Sequence, residues 1–179
     1  KMAGLSDHTY SKIKKKQKGM AVNMKKMLTM ILSGVMALVL LTSCGGKEVT
    51  IDVNTAADTL KSNLTYAGQM NEQSGEKAMQ NTYTELDASL VAAYKGYVSG
   101  DTTAEEVAVF EATDETAAAA IYETLEKYVA AQTELYAGYS PEGAQRLEKS
   151  VLKQAGKYVV LCVSNDPDNT AAEVDKILK

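Results

Sequence analysis

Glu105 and Glu106 stand side by side in this sequence, Asp114-Glu115 follow, and Asn165-Asp166-Pro167-Asp168-Asn169 gathers side-chain oxygens. Carboxylates can do acid and base work, and a glycosidase sets two of them across a cleft. Glu105 and Glu106 cannot be such a pair by themselves, because neighbours on a strand point to opposite faces. The oxygen-rich stretch suggests calcium, but a calcium loop needs alternating ligands, a mid-loop glycine and a closing glutamate. It lacks these and reads as a helix cap. The sole histidine is His8. The chain beyond it therefore has no Ser-His-Asp or Cys-His catalysis and no histidine zinc site. Tyr122, Val129 and Tyr136 flank one helix face and with Tyr139 could form an aromatic ligand surface, against the plainer reading of core packing. No catalytic, cofactor-binding or metal-binding residue is assigned.

Cys44 is the residue with the clearest chemistry. Met24-Lys25-Lys26 is a short basic start, and residues 27–41 carry no charge. A membrane-spanning helix needs about 20 apolar residues, so this shorter run reads as the apolar part of a secretory signal. Leu41-Thr42-Ser43-Cys44 then looks like a bacterial lipobox: a large aliphatic, two small residues and the cysteine. In that chemistry a diacylglycerol is attached to the thiol and a signal peptidase cuts just before it. Two acyl chains hold a protein at a membrane far better than one, at roughly 0.8 kcal/mol per buried CH₂. The expectation is a signal peptide over 24–43, a lipidated tether over 44–53 and a single domain over 54–179. Residues 1–23, with the basic cluster Lys12 to Lys18, read as upstream sequence from a mis-assigned start.

Composition sharpens when counted from Cys44 onward, 136 residues in all. Eight of the 19 lysines and arginines precede it, but one of the 23 acids. The chain from Cys44 to its end holds 11 basic and 22 acidic residues, a net of −11. Such a surface is repelled by phosphate polymers and anionic lipid heads, which argues against nucleic acid as a partner. The remaining cysteine, Cys162, lies in the apolar run Tyr158 to Val163 and reads as a buried, inert thiol.

The elements that must position these residues are set by periodicity and caps. Ala57, Leu60 and Leu64 predict a helix from Asn54 to about Tyr66, capped by Asn54 or Thr55. The polar stretch 67–82 reads as a loop. A short helix opens at Leu86-Asp87. Strands are expected over Tyr94–Ser99 and Glu106–Ala112. A long helix runs from Asp114-Glu115 to about Ala137, with Ile121, Leu125, Tyr128 and Leu135 on one face. Ser140-Pro141-Glu142 starts another helix. A hairpin of Val151–Lys153 and Tyr158–Ser164 turns at Ala155-Gly156, and Asp166-Pro167 opens the last helix. The order is that of an α+β fold, a small antiparallel sheet with helices packed on it.

Several stretches carry a family likeness: Tyr83 with Leu86-Asp87, Glu106-Val107-Ala108-Val109-Phe110, Gly138-Tyr139-Ser140-Pro141-Glu142, and the closing run Gly156 to Asp166. Over about residues 50–178 the sequence resembles uncharacterised lipoproteins of Gram-positive, clostridia-type bacteria that share a domain of unknown function, family 4358. The resemblance implies an extracytoplasmic, lipid-anchored address and a compact fold, with no assigned activity, ligand or catalytic residue. The expectation is a non-enzymatic binding or scaffolding domain at the cell envelope. Its partners would be the membrane, through the diacylglyceryl anchor on Cys44, and an envelope protein. The alternatives are a carboxylate-dependent cell-wall hydrolase and a small solute-binding lipoprotein.

Overall fold

The computed structural model describes residues 50–100 and 102–179. Leu41, Thr42, Ser43 and Cys44 lie outside the described residues, as do the signal segment 24–43 and residues 1–23.

Asp52 opens the first helix. Its carboxylate accepts from the Thr55 N–H at 2.7 Å, and α1 runs Val53–Asn63. The cap is thus Asp52 rather than Asn54 or Thr55. The next segment departs from the expected loop: β1 spans Met70–Ser74 and α2 spans Gly75–Thr82. β1 is a polar edge strand that pairs with β2 from Met70↔Ser99 to Ser74↔Lys95. Its backbone is held by the ladder while most of its side chains face water, so no alternation marks it. α2 fully buries only Met79, and one buried residue makes no period.

The remaining elements match the sequence closely. A 3₁₀ turn at Ala88–Leu90, capped by Asp87, leads into β2, Val91–Ser99. β3 is Glu106–Ala112. Asp114 caps α3, Glu115–Ala137, by accepting from the Ala117 N–H at 2.7 Å. Ser140 and Pro141 open α4, Pro141–Glu148. β4, Val151–Ala155, turns at Gly156 into β5, Tyr158–Val163. Gly156 holds φ +53°, which favours glycine. Asp166 caps α5, Pro167–Ile177.

Among the described residues the strands form one antiparallel sheet in the order β1-β2-β3-β5-β4. Helices cover both faces, and the two-residue period divides the inner strands between two cores. Ala108, Phe110, Ala112, Val159, Leu161 and Val163 face α3, with Met79, Ile121 and Leu125. Val107, Val109, Val160 and Cys162 face α1 and α5, with Ala57, Leu60 and Val174. Burying each large aliphatic or aromatic side chain is worth roughly 1.5–3 kcal/mol. These are the interior layers of an α+β fold.

Leu135 does not continue the buried face of α3, being 57 % exposed. The fully buried residues of α3 lie in its first half, Ala117 to Leu125. The last turns pack against α4 instead, where a Cβ on Gly143 would stand 2.5 Å from Tyr136 Cδ1.

Candidate functional site

Glu105 and Glu106 part to opposite faces, as strand geometry requires. Glu105 turns toward the chain after α1. It accepts from the N–H groups of Ala67 at 2.6 Å and Gly68 at 2.8 Å, and from the Thr103 hydroxyl at 2.9 Å. Its carboxylate ties the end of one helical layer to the start of β3.

Glu106 turns toward α3. Tyr128 donates to its Oε2 at 3.1 Å, and Tyr83 donates to its Oε1. The two tyrosines belong to an aromatic cage. The Tyr83 ring centre lies 5.0 Å from that of Tyr128, 5.4 Å from Phe110 and 6.1 Å from Tyr94. Edge-to-face contacts at such distances are favourable. Burial pushes the Glu106 carboxyl up to about 7, and the two phenol donors offset only part of that. The Tyr94 hydroxyl is buried beside this group without a hydrogen-bond partner. It fits only because residue 96 is glycine: a Cβ there would lie 2.6 Å from Tyr94 Oη.

Two clefts meet over this cage. The outer one, about 470 Å³, runs between α3 and the segment that ends α2; Thr82, Glu85, Thr124, Lys127, Tyr128 and Gln132 line it. The inner one, about 150 Å³, reaches Ser99, Ala104, Glu106 and Tyr136. Thr82, Tyr128 and Gln132 border both. The α3 side arises from helical spacing, since Thr124, Tyr128 and Gln132 stand four residues apart on one stripe. The Thr124 hydroxyl donates to Ala120 O at 2.9 Å and the Thr82 hydroxyl to Ala78 O at 3.4 Å, so each oxygen has spent its proton and is left to accept. Gln132 makes no hydrogen bond to another described residue. Ala104, at the inner cleft, holds φ +62°, a strained conformation for an L residue.

The other residues singled out in the sequence fall elsewhere. Asp166 accepts from the Asn169 N–H at 3.2 Å, the capping role. Asn165 accepts from Arg146 Nε at 2.5 Å. Among the described residues no three His, Cys, Asp or Glu gather where they could hold a metal ion. The tyrosines do not make one surface. Tyr122 and Val129 border a shallow depression beside Leu152, whereas Tyr136 lines the inner cleft and stacks at 4.8 Å on Tyr139. Cys162 is buried and its thiol is pushed up to about 12 by that burial. Gln132, Thr124 and Tyr83 do not stand out as site residues in the sequence. The four-residue stripe 124–128–132 is the available signal, and it is no different from an ordinary helix face until α2 is known to stand opposite.

The family of the domain of unknown function DUF4358 matches residues 63–164. The chain belongs to this family. All the residues that line the two clefts lie within the matched part of the DUF4358 domain, while most of α1 and all of α5 lie outside it. No curated protein and no solved structure matches the chain.

Proposed function

We propose that this DUF4358 protein is a lipid-anchored, extracytoplasmic domain that binds a partner or ligand at the cell envelope without transforming it. The anchor is read from Leu41-Thr42-Ser43-Cys44. The observation that carries the binding role is the joined cleft between α2 and α3, wide enough for a small ligand and bordered by the unpartnered amide of Gln132. The carboxyls that could have served catalysis have structural duties. Glu105 holds the backbone of Ala67 and Gly68, and Glu106 is gripped by Tyr83 and Tyr128.

A hydrolase is the second reading, favoured by one observation: a carboxyl raised to about 7 is suited to donate a proton at neutral pH. It needs a second carboxylate across the cleft, and Glu85 on the outer cleft is the candidate.

The test has two arms. Cells expressing wild type or Cys44→Ala are fed a labelled fatty acid and fractionated. Label and membrane association in wild type alone support the anchor; membrane association of both forms without label refutes it. The purified protein is then incubated with cell-wall glycan and peptide. Turnover that disappears in Glu106→Gln or Glu85→Gln would replace the binding role with hydrolysis.

A further inference from the structure

The lining of the joined clefts specifies what they can hold. The outer cleft carries one cation, Lys127, and one anion, Glu85, so it offers no net charge to a phosphate or a polycation. Ala131 is its only aliphatic lining residue, so its apolar surface is chiefly the rings of Tyr83 and Tyr128. The inner cleft is bordered by two carboxyls and no cation, which disfavours an anion. It offers little to a cation, because the carboxylate oxygens already accept from Tyr83, Tyr128, Thr103 and backbone N–H groups.

What remains is neutral hydrogen-bonding capacity beside an aromatic ring. Thr82 and Thr124 present acceptor oxygens, their protons being used within their own helices. Gln132 presents a donor and an acceptor together, with no described partner for either, at the border between the two clefts. Tyr128 gives the wall a ring and ends in a hydroxyl that can accept while it donates to Glu106. A pyranose has the complementary features: hydroxyl donors, an apolar C–H face for a ring, and no charge. An acylated amine on such a sugar adds an N–H and a carbonyl on opposite sides of a trans amide, and a glutamine amide can accept from the one or donate to the other.

We propose that the joined clefts between α2 and α3 bind a neutral, acetamido-bearing saccharide, with Gln132 and Tyr128 as its principal contacts and Thr124 as a third. This deepens the envelope-binding reading and rests on it.

The full chain in detergent micelles is titrated with the N-acetylglucosamine trimer by calorimetry. Saturable binding is expected. Gln132→Ala should weaken it about tenfold and Thr124→Val by a smaller factor, since each removes one or two hydrogen bonds to the ligand. Lys153→Ala, on the far sheet edge, should leave it unchanged. Both cleft substitutions are at half-buried positions outside the core, and equal melting temperatures confirm that the fold is kept. Absence of saturable binding up to about 10 mM, a dissociation constant too weak to matter, overturns the proposal. So does binding that Gln132→Ala and Thr124→Val leave intact. If the trimer fails to bind while the anchored chain still holds an envelope partner, the saccharide inference falls and the binding-domain reading stands. If neither binds, both fall.

Discussion

The Tyr128 hydroxyl, halfway along the longest helix, donates across 3.1 Å to Glu106 at the start of the central strand. Tyr83, from the segment after α2, grips the other oxygen of the same carboxyl. One side chain therefore joins the two walls of the cleft to the sheet beneath them.

That junction makes stability depend on pH. Glu106 has an ordinary value of 4.5 and is raised to about 7 in the fold. Between those values the native chain keeps a proton that the unfolded chain has released, so stability falls as pH rises. The contribution is full below about 4.5 and is lost as pH climbs through 7, on the order of 3 kcal/mol in all. Asp52, Asp58, Asp87 and Glu173 are held below their ordinary values, so they act with the opposite sign and at lower pH. Melting temperatures should drop from about pH 5 to about pH 8. Glu106→Gln, neutral throughout, should flatten that slope and melt higher than wild type at the upper end. An unchanged slope would mean that Glu106 does not titrate there.

Glu105 should behave differently. Its removal leaves the N–H groups of Ala67 and Gly68 without their acceptor. Each orphaned donor costs about 1–3 kcal/mol where water cannot replace the partner. Glu105→Ala should lower unfolding free energy in urea by about 2–4 kcal/mol, while Glu105→Gln, which keeps one acceptor, should lose less. Both should keep the wild-type pH slope, since Glu106 is still present in each.

Gly96 is an equally local test. A Cβ there would meet Tyr94 Oη and the Val107 carbonyl, each at 2.6 Å. The carbonyl belongs to the paired strand and cannot give way. Gly96→Ala should cost about 1–3 kcal/mol. Tyr94→Phe, which removes a buried hydroxyl without a partner, should be neutral or stabilising. Tyr94→Phe combined with Gly96→Ala should recover part of the loss.

Cys162 should be silent toward thiol reagents in the native chain. It is buried in the core beside α1, and burial holds its thiol near 12. Its modification should track the rate of opening in denaturant. Prompt reaction in native buffer would contradict its place in the core.

Much of this fold is legible in the sequence because its inner strands state their own period. Val107 to Phe110 and Tyr158 to Val163 are apolar on both faces, and both are covered on both faces. The caps Asp114, Ser140 and Asp166 announce their helices. β1 and α2 are illegible for a physical reason: an edge strand is held by its backbone, and Met70-Asn71-Glu72-Gln73-Ser74 carries no alternating pattern. The cleft is hidden with them, since α2 and the segment after it form one of its walls. The parting of Glu105 from Glu106 is readable from strand geometry. Three of their hydrogen-bond partners, Ala67, Gly68 and Tyr83, lie more than twenty residues upstream and become neighbours only on folding.

The most direct test of the binding role places a photo-cross-linking residue in the anchored chain in living cells, at Ala131 in the cleft or at Lys61 on α1, across the sheet. A discrete adduct is expected from position 131 and none from position 61, with the adduct diminished in Gln132→Ala and in the presence of excess N-acetylglucosamine trimer. Equal adducts from both positions, or adducts from position 61 alone, would contradict the binding role of the cleft.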